Sequence, residues 1–214
     1  MPTLKISTEK YPSNPRVEED NLSLMVCDHR RYALGDKHAK AILCEKLGYS
    51  DHDLSLRDLV EKAKKRGIVF YSTPIYLYDH GGLTVDTKPF GCPFDSGQLG
   101  EVIVLNDVVK ETFGIKRITK KKKEELLKVI ERNVDSEVKT YANYLQGDVY
   151  CYTILDDDNE VIDSCGGFYG TDFENNGLKD ELPEEFKNIL KDVEIEYEWK
   201  RNVWKKFFKT NKLF

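Results

Sequence analysis

A histidine and a compact polar group stand close together between residues 80 and 98. His80 is followed by Asp95, Ser96 and Gln98, within a segment whose core, PFGCPFDSGQLG, holds two prolines, three glycines and two phenylalanines. An imidazole near a carboxylate and a hydroxyl can support acid–base or nucleophilic catalysis. The same groups can instead form a polar binding site, or an Asx-type turn that satisfies only local backbone. A loop so rich in constrained residues is usually ordered and sometimes functional.

Cys92 adds a thiol to this group. One interpretation is a cysteine nucleophile served by His80, with Asp79 or Asp95 orienting the imidazole. If the predicted hairpin runs on straight, however, Cys92 lies about 30 Å from His80 at roughly 3.3 Å per residue, so we expect a structural cysteine. Zinc is not expected, because the close pair of Cys27 and His29 is not matched by a second close pair. The sequence thus predicts no metal or cofactor, and catalytic residues stay unassigned.

A cationic cluster of His29, Arg30 and Arg31 lies in a predicted loop beside Tyr32. Arginine forks suit phosphate or carboxylate recognition. The alternative is a salt bridge within an acidic protein. We group this cluster with the later polar segment as one candidate binding surface, whose members are His29, Arg30, Arg31, His80, Asp95, Ser96 and Gln98.

Two lysine groups are candidates for contact with an anion, such as a nucleic-acid backbone or the acidic face of another protein. The first group begins a predicted helix, where positive charge opposes the macrodipole, so helix stability does not explain it, and simple solvation is the alternative. The second belongs to an aromatic, basic tail that predicts either an amphipathic helix or a segment completing the core. The candidates are Lys120, Lys121, Lys122, Lys123, Lys205 and Lys206.

Charge is distributed unevenly along the chain. The net charge is −5, and residues 199–214 carry six basic and no acidic side chains, which leaves −11 on residues 1–198. This balance disfavours a protein whose whole surface binds nucleic acid. We predict an extended N-terminal arm over residues 1–20, a single α+β domain over 21–198 and a basic aromatic tail over 199–214.

Composition predicts an ordered soluble protein of the cytoplasm. Charged residues make up 33% and hydrophobic residues 40% of the chain. No apolar run approaches the roughly 18 residues of a membrane helix, and the N-terminus has no secretory h-region. The five cysteines are scattered without framework spacing, which indicates reduced thiols.

Two hairpins predict an α+β fold with a mostly antiparallel sheet. In the first hairpin the glycine pair at 81–82 predicts a two-residue type I′ turn, because both glycines can take positive φ. That turn sets His80 opposite Leu83 and Pro74 opposite Pro89, where both arms are expected to stop.

Further elements follow from periodicity and capping. An apolar stripe along residues 119–146 predicts one long amphipathic helix of about 40 Å, packed on a sheet or another helix. Shorter helices are predicted over 36–47 and 56–66, the second with Ser55 as its N-cap. A second hairpin spans 148–170, and a β-branched central strand is predicted over 101–105. A short acidic helix is predicted over 183–192 and an alternating strand over 193–199.

Five segments taken together resemble a protein family of bacteriophages, prophages and mobile elements of low-GC bacteria. They are HRRYALGDKH, PIYLYDHGGLTVDTKPF, FDSGQLGEVIV, TYANYLQGDVYCYTI and DSCGGFYG, in that order, and the resemblance covers roughly residues 20–172. The family implies a phage-related context but no reaction, cofactor or catalytic residue.

These observations predict a phage or mobile-element accessory protein that binds a host or phage macromolecule. One concrete form is an inhibitor of a host defence system, of the anti-CRISPR or anti-restriction type, whose acidic body approaches a basic groove. The alternatives are a small hydrolase or nucleotide-processing enzyme that uses the 80–98 region, and a nucleic-acid-binding accessory protein.

Overall fold

The chain folds as an α+β protein, which confirms the predicted class. The computed structural model describes residues 2–50, 54–188, 190 and 195–196. Within them the strands are β1 (Thr3–Thr8), β2 (Leu24–Cys27), β3 (Val69–Asp79), β4 (Leu83–Asp86), β5 (Ser96–Leu105), β6 (Val149–Leu155), β7 (Val161–Tyr169) and β8 (Ile195–Glu196). The helices are α1 (Pro15–Glu18), α2 (Ala39–Leu47), α3 (Leu56–Lys65), α4 (Asn106–Thr112), α5 (Lys120–Gln146), α6 (Leu178–Glu181) and α7 (Glu184–Lys187).

The described strands form two four-stranded sheets. The first sheet has the order β7-β6-β1-β8 and the second the order β2-β5-β3-β4. All neighbouring strands are antiparallel except β1 and β8, which are parallel. The two predicted hairpins, β3–β4 and β6–β7, therefore belong to different sheets.

Strand β1 lies where the sequence predicts an extended N-terminal arm. Its apolar residues Leu4 and Ile6 are buried and alternate with more exposed neighbours, as expected of a half-buried strand. It pairs with β6 along its whole length and with β8 on its other side. Residues 3–8 thus form an inner strand of the first sheet.

The long helix α5 covers one face of the second sheet. Thr119 caps its start by accepting a hydrogen bond from Lys122 N at 3.2 Å, and Gly147 ends it in the left-handed conformation with φ of 79°. The predicted stripe is confirmed, and the helix residues buried on this face are Leu126, Ile130, Val134, Val138, Tyr141, Tyr144 and Leu145.

Helices α2 and α3 cover the opposite face of the second sheet. Their buried side chains pack with Val26 of β2 and with Ile103 and Leu105 of β5. The predicted cap of α3 is confirmed, since Ser55 Oγ accepts from Asp58 N at 3.1 Å. The second sheet is therefore buried on both faces, and its loops are left to carry the polar groups.

The predicted register of the first hairpin is wrong by one residue. Asp79 lies opposite Leu83, so the connection has three residues, His80, Gly81 and Gly82. Of the two glycines only Gly81 has positive φ, whereas a type I′ turn requires it at both positions. The observed register keeps the side chain of Leu83 on the buried face of the sheet. A slip of one residue would turn it to the other face.

Strand β5 begins five residues earlier than predicted. Ser96, Gly97 and Gln98 pair with β3, so the irregular loop shortens to residues 87–95. Pro74 does not end β3 either, since that strand runs on past it and Pro74 lies opposite Glu101. β4 does not extend as far as Pro74, so at this position β3 has a described neighbour on one side only, as expected for a proline in a strand.

The C-terminal predictions are described only in part. The predicted acidic helix over 183–192 corresponds to α7, and residues 189 and 191–192 lie outside the described residues. Of the predicted strand over 193–199, Ile195–Glu196 is present as β8. The basic tail, with Lys205 and Lys206, also lies outside the described residues.

Candidate functional site

Two loops meet at the end of the second sheet and enclose a depression of about 350 Å³. One is the loop after β2, and the other is the loop that leads into β5. We call residues 28–31 and 90–98 together the loop surface. The residues that line the depression are His29, Arg31, Leu77, Asp79, Phe94, Asp95, Ser96, Gly97, Gln98 and Leu99.

Asp79, the last residue of β3, anchors the first loop. Its Oδ2 accepts hydrogen bonds from Arg31 Nη2 and, at 2.9 Å, from the Tyr32 hydroxyl. Burial, reinforced by the bond to Asp79, raises the pKa of Tyr32, so this phenol stays a donor. The His29 ring stacks on Tyr32 with centroids 5.0 Å apart, and the Arg31 guanidinium lies 5.2 Å from the same ring. The predicted alternative of an internal salt bridge for this cluster is thus observed at Arg31.

Asp95 organises the second loop. Its Oδ2 lies 3.2 Å from His80 Nδ1 and 3.5 Å from Cys92 Sγ, and its carbonyl oxygen accepts from Asp79 N at 2.7 Å. The chain therefore turns back between β4 and β5 instead of running straight. Cys92 and His80 contact the same carboxylate oxygen, and the separation of about 30 Å expected at roughly 3.3 Å per residue does not occur.

The hydroxyl and thiol of this loop donate to oxygen atoms. Ser96 Oγ donates to the carbonyl of Cys92 at 2.5 Å, and Cys92 Sγ donates to the Asp95 carboxylate. In a nucleophile–base pair the hydroxyl or thiol would donate to an imidazole. The arrangement therefore orders the loop, and it joins His80 to a carboxylate without activating a nucleophile.

The loop surface also presents one large apolar side chain to solvent. Phe94 is 95% exposed, whereas Phe90, four residues earlier, packs against Tyr78 with ring centroids 5.5 Å apart. Of the other predicted residues, Gln98 donates to the carbonyl of Gly100 at 3.3 Å. Arg30 is exposed and does not line the depression.

The lysine group at the start of α5 lies apart from the loop surface. Lys120 and Lys121 are exposed, Lys122 pairs with Glu125 at 3.4 Å, and Lys123 lies 5.3 Å from the ring of Phe70. Within the described ranges no three His, Cys, Asp or Glu side chains converge as a metal-ligand set.

Sequence reasoning omitted two residues from the candidate surface. Asp79 appeared only as one of two possible partners for a histidine, yet it holds Arg31 and Tyr32. Phe94 was counted only as part of a constrained loop, because a sequence does not show which of two nearby phenylalanines faces solvent. A signal for Asp79 did exist, since it is the last carboxylate before the glycine pair of the hairpin.

Comparisons of the chain with protein-family models, with curated proteins and with solved structures found no match. None of the described helices combines the length and apolar character that a membrane crossing requires.

Proposed function

We propose that this protein acts by binding a partner protein of the host or of a phage, and that the loop surface makes the contact. The observation that carries the proposal is Phe94, which is 95% exposed at the rim of a polar depression. Aromatic anchors set among satisfied polar groups are typical of the residues that dominate binding energy at interfaces.

The internal bonding of the loops supports this role. Arg31 is held by Asp79, and the loop that carries Phe94 is tied together through Asp95 and Ser96. A surface that is ordered before it meets its partner loses less conformational freedom on binding. The loop surface therefore has the properties of a preorganised contact site.

Context and charge favour one specific function, which is the inhibition of a host defence system. The phage-family resemblance supplies the context, and the charge of −11 on residues 1–198 would favour approach to a basic groove of a nucleic-acid-binding target. We place this action in the host cytoplasm, with which the five free cysteines are compatible.

A second candidate is a small hydrolase or nucleotide-processing enzyme. It is supported by His80 Nδ1, which lies 3.2 Å from Asp95 Oδ2, an orientation that can hold an imidazole for acid–base work. We favour binding because Ser96 Oγ and Cys92 Sγ both donate their hydrogens to oxygen atoms.

Affinity purification from host cells tests the proposal, with the tagged full chain as bait. Phe94→Ser is expected to lose the co-purifying protein. Tyr11→Ser, which also removes a highly exposed aromatic ring but at a different site, is the matched control and should retain it. Retention by Phe94→Ser would contradict binding through the loop surface.

Two further arms of this experiment separate the alternatives. Nuclease treatment should leave the complex intact, whereas a nucleic-acid-binding accessory protein would lose it and would depend on Lys120 to Lys123. His80→Ala should also retain the partner. An activity that disappears in His80→Ala while the complex persists would favour the enzyme.

A further inference from the structure

Strand β5 extends beyond the strand that flanks it. β2 pairs with β5 only from Gly100 to Ile103, and the last bond on that side runs from Asp28 N to the carbonyl of Leu99 at 3.1 Å. β5 itself begins at Ser96 and remains paired with β3 on its other side. In the part of the chain that the structure describes, no strand lies beside residues 96–98 on the β2 side.

This gap leaves backbone groups without a ladder partner. In an antiparallel ladder successive residues direct their N–H and C=O groups to opposite neighbours. At least one residue among Ser96, Gly97 and Gln98 therefore points both groups toward the side that β2 does not reach. Such an edge is a template for another strand.

The two glycines of β5 differ in how closely other backbone atoms approach them. A Cβ added at Gly100 would lie 2.0 Å from the carbonyl oxygen of Val26, because β2 packs closely there. A Cβ added at Gly97 would meet no described atom within 4 Å. The strand thus passes from a tightly covered position to an open one within three residues.

A depression lies on each face of the sheet at the gap. The first is the depression of the loop surface, and it includes Leu77 and Leu99 of the core beneath α5. The second measures about 390 Å³ and includes Val26 and Val60 of the core beneath α2 and α3. Both are lined by Gln98 and Leu99, so the open edge of β5 runs between them.

We propose that an extended segment of a partner protein adds to this edge as a further strand, in the place that β2 leaves open. Successive side chains of a strand point to opposite faces of the sheet, so they would enter the two depressions alternately. Main-chain hydrogen bonds supply affinity in this binding mode, and the side-chain pockets supply specificity.

Charge identifies the segment as basic. Five carboxylates line the two depressions, those of Asp28, Glu61, Asp79, Asp95 and Glu101, against the two guanidinium groups of Arg31 and Arg57. Lys64 adds one cation by pairing with Glu101 at 2.5 Å, and the carboxylates still outnumber the cations. A segment with lysine or arginine at neighbouring positions, one side chain for each depression, complements this lining.

This inference rests on the proposed function, since it names how the loop surface holds its partner. The test uses a random dodecapeptide library displayed on phage, selected against the full chain. We expect the enriched peptides to carry basic residues at neighbouring positions, one for each depression. The bound peptides should change the amide chemical shifts of Ser96 to Leu99. They should also protect from hydrogen exchange the amides among Ser96 to Gln98 that face the open edge.

Two variants and one peptide modification sharpen the result. N-methylation of the selected peptide at alternate positions should weaken binding about tenfold, because each change removes a main-chain donor. Gly97→Leu, which fills the first depression, should also weaken binding. Gly82→Leu is the matched control at the hairpin turn, where an added Cβ likewise meets no described atom, and it should bind normally.

The outcomes separate this inference from the proposed function. Peptides that bind the loop surface with affinity unaffected by N-methylation would overturn strand addition while leaving partner binding in place. Strand addition would also be overturned if no peptide were enriched above the empty matrix, or if the enriched peptides contacted another surface. The capture experiment with Phe94→Ser would then decide the proposed function on its own.

Discussion

The guanidinium of Arg16 holds the segment that carries the first loop against helix α5. Its side chain is 1% exposed, and it donates five hydrogen bonds within the described structure. The acceptors are Asp36 Oδ1 at 2.8 Å, Asp36 Oδ2 at 2.7 Å, Glu137 Oε2 at 3.0 Å, Asn21 Oδ1 at 2.8 Å and the carbonyl of Ser23 at 2.7 Å. Every N–H of the guanidinium group is thereby used.

The acceptors connect this cluster to β2 and to the residues just before it, which lead into the first loop. Asp36 Oδ2 also accepts from Met25 N of β2 at 2.7 Å, and Glu137 Oε1 accepts from Leu22 N at 2.7 Å. Burial lowers the pKa of Arg16, but Asp36 and Glu137 outweigh burial and raise the pKa above its ordinary value. The guanidinium therefore stays charged at every pH at which the fold is expected to persist.

Arg16→Met keeps much of the side-chain volume and removes the charge. Breaking a buried ion pair by removing one partner costs about 3–5 kcal/mol, because the remaining carboxylates lose their donors. A domain of this size has a free energy of unfolding of about 5–15 kcal/mol, so the loss is a large fraction of it. At roughly 2–4 °C per kcal/mol the melting temperature should fall by about 10 °C.

Urea unfolding followed by circular dichroism measures this loss. Glu137→Gln is the informative companion, since it keeps the shape and removes one of the two carboxylates. The double variant should show a coupling of at least about 1 kcal/mol, as expected for contacting residues. A loss below about 1 kcal/mol for Arg16→Met, or strict additivity in the double variant, would refute the argument that this cluster clamps the segment.

Two other predictions concern the second and the first sheet. Gly100→Ala should destabilise the fold by more than about 1 kcal/mol, since the added Cβ would lie 2.0 Å from a backbone oxygen of β2. Gly97→Ala should change the free energy of unfolding by no more than about 0.5 kcal/mol. Urea unfolding of the two variants compares these effects directly. Burial and a hydrogen bond to Asp163 raise the pKa of Tyr152 to about 12 from its ordinary 10.0. Because the folded pKa is the higher one, the stability linked to this phenol is complete below pH 10 and is lost as the pH rises toward 12. Tyr169 has a similarly raised pKa, so the late phenolate absorbance step should lose amplitude in Tyr152→Phe without disappearing. An undiminished amplitude would contradict this assignment.

Local signals predicted the helices well. The stripe and the caps of α5 depend on residues within the same segment, so Thr119 and Gly147 could be assigned from spacing alone. The same holds for Ser55 at the start of α3. Helix caps and apolar stripes are determined by residues close together in the sequence. The predicted boundaries of these helices therefore agree with the observed ones to within a residue.

Pairing between distant strands was not predictable in the same way. The register of β3 and β4 depends on which side of the hairpin packs beneath α5, and the start of β5 depends on β3 being long enough to pair with it. Residues 3–8 alternate clearly, but their partner β6 lies more than a hundred residues away. Alternation indicates a strand, and only the tertiary fold supplies its neighbours.

The candidate surface was predicted as a group but not in its internal order. The sequence placed Arg31 and Asp95 in one surface, and both line the same depression. It did not place Cys92 and His80 on one carboxylate, because the return of the loop between β4 and β5 has no local signature. Proline and glycine mark a reversal without specifying its direction.

The hydrogen bonds and ion pairs within the loop surface also predict which of its groups contribute most to the affinity for a partner. Arg31 is already paired with Asp79, and Asp95 already holds His80, so a partner gains little from these charges beyond long-range attraction. The ring of Phe94 and the backbone edge of β5 are both open to a partner. Binding energy should therefore come from one apolar anchor and from main-chain hydrogen bonds, while the charges mainly set the association rate. Raising the salt concentration should then slow association and leave dissociation almost unchanged, and a dissociation rate that rises steeply with salt would show that the charged pairs open on binding.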